Sequence, residues 1–237
     1  MGIEIILVLT EHHMKSRSKR YKSSASSITS ETNNLSDALI ALQKFDPVKF
    51  DESIEVSVSL GVDPKQSSQA VRGTVNLPHG SGKDIKVLVF TDNADEALAA
   101  GADFAGLDDM IKKVKEGWVG FDVALSTTSA MKEVRSVARV LGPRGLMPTP
   151  KAGTVTDDLA TAVKDVKSGR VEFKMDKTGA LAVLVGKRSF DHPKLLENAQ
   201  AAIDAVSSSR PEGFKGKFIK NVHISSTMSP SLAIDLN

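Results

Sequence analysis

The segment His79-Gly-Ser-Gly-Lys83 comes closest in this sequence to a phosphate-binding loop. Such a loop needs a glycine five positions before the glycine of its Gly-Lys pair and a Ser or Thr after the lysine, because backbone N–H groups cradle the phosphates and the hydroxyl binds Mg²⁺. Those two positions hold Leu77 and Asp84. The sequence therefore favours a turn here over a nucleotide site, and it predicts no cofactor.

No combination of side chains supplies an acid, a base and a nucleophile. The chain has no cysteine, which excludes thiolate catalysis, disulfides and zinc-ribbon sites. Its five histidines form no HExxH pair, and no GxSxG serine motif occurs. Helix dipoles and solubility explain the clustered acids, which are Asp108, Asp109, Glu116, Asp157 and Asp158. The sequence therefore predicts no enzyme, no catalytic residue and no metal site.

Charge is distributed unevenly along the 237 residues, whose net charge is only +2. Residues 14–79 carry nine Lys and Arg against seven Asp and Glu, and residues 170–237 carry ten against seven. Residues 80–169 carry twelve against thirteen. Basic ends around a neutral centre suit a surface that faces phosphates, although ordinary fluctuation along a chain also produces such differences. No apolar run is long enough to span a membrane.

The pattern of strands and helices changes twice along the chain. Strict alternation over Ser53–Leu60 predicts a half-buried antiparallel strand with a polar side free to meet a partner. Between residues 80 and 169, apolar runs alternate with helical periodicity, which is typical of βαβ units and a parallel sheet. After residue 169 the alternation of apolar and polar residues returns. A helix is predicted over Pro193–Val206 and a strand over Phe218–Ser226.

These patterns predict an α/β fold combined with α+β structure in two domains. Domain one comprises residues 14–79 plus 170–237, and domain two is a Rossmann-like α/β domain inserted as residues 80–169. The two chain crossings, near His79–Gly82 and Ser168–Gly169, both contain glycine, which suits a hinge that absorbs dihedral changes.

Residues 1–13 differ in composition from the residues after them. They contain two acids and no Lys or Arg, whereas Met14 opens a segment with five cations in eight residues. We expect a non-native or disordered extension that ends before a start at Met14; a short genuine strand or tail is the alternative. Ser23–Thr32 is rich in Ser and Thr without apolar periodicity, which predicts a flexible connector.

The stretch from Leu141 to Val155 reads LGPRGLMPTPKAGTV and is dense in glycine and proline. Such a segment cannot continue a helix or a central strand. Its apolar residues indicate a packed loop, and by itself the stretch is typical of a fixed interdomain or surface loop.

The sequence of this loop closely resembles that of the corresponding loop in one protein family. The family is that of the large-subunit ribosomal protein numbered one, the RNA-binding protein of the ribosome's mobile stalk. Val71-Arg-Gly-Thr74 and Leu77-Pro-His-Gly80 match further motifs of that family in the family's order. The basic opening at Met14 also resembles the start of its members, and the matches continue to about Leu232.

Three segments resemble the places where this family contacts ribosomal RNA. In the first, Phe50 would pack on a ribose or base, Lys49 would meet phosphate, and neighbouring polar groups would hydrogen-bond 2′-hydroxyls or base edges. The residues implied to bind RNA are Lys49, Phe50, Ser53 and Glu55 in the first segment, Lys174, Asp176, Lys177, Thr178 and Gly179 in the second, and Thr227, Met228 and Ser229 in the third.

The chain departs from the family's pattern at three positions near these segments. Met175 stands where the family usually has Asn, Ser229 replaces a glycine, and Asn221 stands where a serine is common. Phe50 leaves two orientations open. It is in phase with the apolar side of the following strand, which would point it into the core, whereas a bend before the strand would turn it towards RNA.

The resemblance implies a structural component of the large ribosomal subunit, cytoplasmic and monomeric when free. Its implied partners are the rRNA stalk, the tRNA of the exit site, whose release it would assist, and the leader of its own mRNA, whose translation it would repress. From the residues alone, two other classes stay open. One is a small cytosolic α/β enzyme or phosphorylated-ligand-binding protein, and the other is a protein–protein adaptor.

Overall fold

A computed structural model describes residues 17–28, 33–66 and 69–235. The predicted extension over residues 1–13 and the predicted start at Met14 lie outside the described residues, as do positions 29–32 of the predicted connector. Within the described ranges, nine strands form three sheets that are covered by helices. The prediction of a mixed α/β fold is confirmed.

The elements follow one another in chain order as α1 (Lys19–Ser26), α2 (Leu35–Lys44), β1 (Ser53–Leu60), β2 (Arg72–Asn76), β3 (Val87–Phe90), α3 (Ala94–Ala99), β4 (Phe104–Gly106), α4 (Asp108–Lys115), β5 (Val123–Ser126), α5 (Met131–Val134), a 3₁₀ turn (Arg135–Val137), α6 (Ala138–Leu141), a second 3₁₀ turn (Pro150–Ala152), α7 (Leu159–Ser168), β6 (Arg170–Lys174), β7 (Ala180–Lys187), α8 (His192–Ser208), β8 (Ile219–Ser226) and β9 (Leu232–Ile234).

An antiparallel sheet in the order β7-β1-β8-β9 brings together strands from both ends of the chain. Strand β1 buries alternate residues, as its sequence pattern predicts, so its apolar side faces the core and its polar side faces out. Helices α2 and α8 pack against the buried face. Helix α8 contributes a stripe at helical spacing, namely Leu195, Ala199, Ala202, Ile203 and Val206.

A parallel sheet in the order β4-β3-β5 lies within residues 87–126. All four residues of β3 are buried, because helices cover both faces of the sheet. Leu88 and Phe90 pack under α4, α5 and α6, whereas Val87 and Val89 pack under α3 and α7. The third sheet is the two-stranded ribbon of β2 and β6.

The predicted connector over Ser23–Thr32 is wrong in its first part, because Ser23 to Ser26 belong to α1. The Ser18 hydroxyl caps this helix by accepting the N–H of Tyr21, and the Arg17 guanidinium lies over the Tyr21 ring at 4.9 Å. Strands β4 and β9 were not predicted. Each has three residues, too few for an alternation to be recognised.

The two chain crossings between the antiparallel and parallel sheets touch each other. A Cβ placed on Gly169 would come within 2.4 Å of the Gly80 Cα, and both glycines have positive φ angles. The buried Asn198 side chain fastens this contact to α8, since its amide accepts the N–H of His79 and donates to the carbonyls of Gly80 and Val185. Only glycine fits at the closest point of the crossing.

We therefore expect Gly169→Ala to lower the free energy of unfolding by about 3 kcal/mol or more, because backbone strain and a steric clash act together. Gly117→Ala is the matched control: its φ is +100° and nothing lies within 4 Å of the added Cβ. The control should lose only the strain, about 1–2 kcal/mol. Urea unfolding of both variants measures the difference, and equal losses would contradict the close approach.

Candidate nucleic-acid interface

Seven of the residues predicted to bind RNA lie at one end of the antiparallel sheet. We call this group, Lys49, Phe50, Ser53, Glu55, Thr227, Met228 and Ser229, the sheet-end cluster. Two strands meet there: the Ser53 N–H donates to the Thr227 hydroxyl at 3.0 Å, and the Thr227 N–H donates to the Ser53 carbonyl at 3.0 Å. The Lys187 ammonium of β7 donates to the Ser53 hydroxyl at 3.0 Å, which brings a cation to the centre of the cluster.

Phe50 and Met228 expose large apolar side chains at this end of the sheet. Their exposed fractions are 53% and 49%, the two highest among the four exposed large hydrophobic residues in the described part of the chain. The inward orientation of Phe50 is therefore wrong. Lys49, the preceding residue, is also exposed. An aromatic face next to a cation is suited to stacking and phosphate contact with RNA.

Glu52 is fully buried and connects the segments that carry this cluster. One carboxylate oxygen accepts the Ser226 hydroxyl and the Met228 N–H, both at 3.1 Å. The other forms an ion pair with the Arg188 guanidinium at 2.6 Å. Because Glu52 holds the N–H of Met228, it sets the turn that points Met228 outwards. The turn is closed by Ser229, whose hydroxyl accepts the Ser226 N–H at 2.9 Å.

Arg188 extends the same network to the end of α2. Its guanidinium donates to the carbonyl of Gln43 at 3.1 Å and to that of Phe45, which lie in the last turn of the helix and just beyond it. Positive charge at a helix C-terminus satisfies free carbonyls and complements the helix dipole. The ion pair therefore anchors the chain on both sides of the Lys49–Phe50 bend.

A row of polar residues runs from the sheet-end cluster along the outer face of β1 and β8. Direct partners across the two strands are Glu55 with Ser225, Ser57 with His223 and Ser59 with Asn221. Side chains of directly opposed residues lie about 5 Å apart, so these pairs form a continuous hydrogen-bonding track. The track has the donors and acceptors needed to read 2′-hydroxyls and base edges.

The other five predicted residues lie at the opposite end of β1. The Leu60 N–H donates to the Gly179 carbonyl at 2.8 Å, which places the loop of residues 174–179 beside the last residue of the strand. Ser53 and Leu60 are seven residues apart, or about 23 Å along an extended strand. The structure thus divides the predicted site into two groups that the polar track connects.

Within this loop, Asp176 and Thr178 bond to each other. The Asp176 carboxylate accepts the Thr178 hydroxyl at 2.7 Å, the Thr178 N–H at 2.7 Å and the Ala180 N–H at 3.0 Å. These hydrogen bonds hold the pKa of Asp176 below its usual range. The bond from the Thr178 hydroxyl contributes most, and those from the N–H groups of Ala180 and Thr178 come next. Asp176 therefore shapes the turn, while Lys174 and Lys177 remain exposed.

Met175 points away from this exposed surface. Its side chain is buried in the main core, and its N–H donates to the Val71 carbonyl at 2.9 Å. Met175 therefore contributes apolar contact to the core.

Sequence reasoning missed residues that organise the site, among them Glu52, Lys187 and Arg188. A signal for Glu52 was present, since it is in phase with Ile54 and Val56 on the buried side of β1. A charged residue at a core-facing position requires a buried partner. The partner itself is distant in sequence, and nothing in the spacing identifies Arg188.

The carboxyl ends of the parallel strands, where α/β folds commonly bind ligands, give no support to a phosphate site. The Thr128 N–H and hydroxyl both donate to the Asp157 carboxylate, at 3.1 and 2.9 Å. These bonds, and the one from the N–H most of all, keep the pKa of Asp157 below its usual range. A carboxylate at this edge repels phosphate. In the segment that resembles a phosphate loop, Lys83 is paired with Asp122 at 2.5 Å.

The described residues contain no group of three or more His, Asp or Glu arranged to hold a metal ion. Over the same ranges, every helix is too short or too polar to cross a lipid bilayer.

Comparison with known proteins identifies the family. The model of the Ribosomal protein L1p/L10e family matches residues 42–230. The large ribosomal subunit protein uL1 of Kosmotoga olearia is 48% identical over 225 residues, covering 94% of this chain and 97% of the relative. Its counterpart in Protochlamydia amoebophila is 49% identical, covering 92% and 94%. The chain therefore belongs to the Ribosomal protein L1p/L10e family.

Proposed function

We propose that the protein is a structural component of the large ribosomal subunit that binds large-subunit rRNA at the mobile stalk through its antiparallel sheet. Its family is one of ribosomal proteins, and the chain is not an enzyme. The observation that carries the proposal is the sheet-end cluster, where Phe50 and Met228 expose apolar side chains beside Lys49 and Lys187.

The cluster has the chemistry that RNA recognition requires. An exposed aromatic ring stacks on a base or ribose, cations neutralise phosphates, and a polar strand face hydrogen-bonds the 2′-hydroxyls that distinguish RNA from DNA. The track of Glu55, Ser57 and Ser59 then leads the RNA towards Lys174 and Lys177 at the other end of β1. In this proposal Gly179 allows the close turn, and Asp176 and Thr178 fix the loop in the shape in which it meets the RNA.

The division into two domains is part of the proposal. Residues 14–79 plus 170–237 would form the rRNA-binding domain, and residues 80–169 the inserted domain. Support comes from the core, because residues 35–77 and 173–234 share one apolar cluster, whereas residues 85–166 supply the clusters on both faces of the parallel sheet. The crossing at Gly80 and Gly169 would serve as the hinge.

Two further roles belong to the same proposal: assistance in the release of deacylated tRNA from the exit site, and repression of translation of the chain's own mRNA. Repression would follow if the mRNA leader imitates the rRNA stalk, because one protein surface would then bind both RNAs. The exposed cations that the rRNA site leaves unused are available to tRNA.

Phe50→Ala should weaken binding to a stalk rRNA fragment by about 1–3 kcal/mol, since it removes one stacking platform. The free energy of unfolding should hardly change, because the ring is exposed. Leu98→Ala is the control, for Leu98 is similarly exposed at 47% but lies on α3. Fluorescence anisotropy with labelled RNA measures the affinity. The proposal fails if both variants bind the fragment as the native chain does.

Glu52→Gln should lower the free energy of unfolding by about 2–4 kcal/mol, because Arg188 is left buried without its counter-charge. Glu172→Gln provides the control, since it breaks the more exposed Arg72–Glu172 pair, which we expect to contribute about 0–1 kcal/mol. Urea unfolding followed by circular dichroism gives both values. If the two substitutions cost the same, the buried pair does not anchor the sheet end.

A further inference from the structure

Six cations lie on α4, on the α5–α6 segment and on the loop after α6, all of which cover one face of the parallel sheet. We call them the basic edge; they are Lys112, Lys113, Lys115, Arg135, Arg139 and Arg144. All six are exposed, and in the described part of the chain none of their side chains makes an ion pair or a hydrogen bond. They are therefore free to meet an anionic partner.

The direction of the helices gathers these residues at one edge of the layer. Strands β3, β4 and β5 are parallel, so α4 and the α5–α6 segment both run back against them and end on the same side. The acids Asp108 and Asp109 lie at the opposite end, at the start of α4. In the described part of the chain, two acids without an ion pair, Glu116 and Glu133, stand near the six cations, whereas Asp122 is bonded to Lys83.

The other face of the same sheet has no such excess of positive charge. Helix α3 carries two acids and no Lys or Arg. On α7, Lys167 forms an ion pair with Asp103 at 3.2 Å, and the charge of Lys164 attracts that of Asp158. A helix C-terminus is stabilised by one or two cations. Most of the six cations of the basic edge therefore have no role in stabilising a helix end. Their mutual repulsion destabilises the folded chain.

The surroundings favour a nucleic acid over a protein as partner. Protein interfaces are centred on apolar anchors, and none of the exposed large hydrophobic residues of the described ranges lies between residues 108 and 144. Unpaired cations without apolar neighbours are the pattern that binds a phosphate backbone irrespective of base sequence.

We propose that the basic edge binds the sugar–phosphate backbone of a second RNA segment while the antiparallel sheet holds the rRNA stalk. This inference rests on the proposed function, in which the protein meets more than one RNA. It assigns the second contact to the layer formed by α4, α5 and α6.

The test uses the full chain with Lys112→Gln, Lys115→Gln and Arg139→Gln combined. Arg144 is left unchanged because its loop also packs Leu146 and Met147. A triple variant with Lys65→Gln, Lys164→Gln and Lys215→Gln removes equal charge from exposed sites elsewhere. Deacylated tRNA serves as the second RNA, a stalk rRNA fragment serves as the first, and affinities are measured over a range of salt concentrations.

We expect the basic-edge variant to bind tRNA about 10- to 100-fold more weakly near 0.1 M salt, with the slope of log affinity against log salt reduced by about 2–3. Its affinity for the stalk fragment should stay within about twofold of the native value. The inference is overturned if the affinity for tRNA and its salt dependence match those of the control variant. It is also overturned if the affinities for tRNA and for the stalk fragment fall by the same factor. Failure of the native chain to bind the stalk fragment would instead overturn the proposed function.

Discussion

The buried ion pair between Glu52 and Arg188 determines the form of the sheet end that we propose binds RNA. Glu52 receives hydrogen bonds from Ser226 and Met228 and the guanidinium of Arg188, which also holds the end of α2. A buried carboxylate is tolerated only when it is paired with a cation and hydrogen-bonded. The arrangement of β1, the β7–α8 connection and the turn after β8 is therefore specified together, and the Phe50 bend is fixed by it.

The two groups of predicted RNA contacts are separated by the length of one strand. Because alternate residues of β1 are buried, its outer face is a straight polar track between the sheet-end cluster and the 174–179 loop. A rigid track of about 23 Å fits a stretch of folded RNA better than a single base. The internally bonded Asp176 turn keeps the second group in place at the end of the track.

Periodicity in the sequence predicted the elements with strong patterns. Strand β1 matches its predicted range, and α8 and β8 match theirs to within two residues at each end. It failed where a local cap overrode composition, as at Ser18 and Tyr21 in α1, and where strands were too short, as in β4 and β9. At the site, motif resemblance supplied the residues of both groups. It could not supply Lys187 or Arg188, because their roles arise from contacts with residues more than 130 positions away.

The central claim is that rRNA binds the outer face of the antiparallel sheet at the sheet-end cluster. Titration of the isotope-labelled full chain with a stalk rRNA fragment, followed by amide NMR spectra, tests it most directly. We predict that the largest shifts occur at Phe50, Ser53, Glu55, Thr227 and Met228, with smaller ones along β8. Shifts confined to the carboxyl edge of the parallel sheet, around Thr91 and Thr128, would contradict the account.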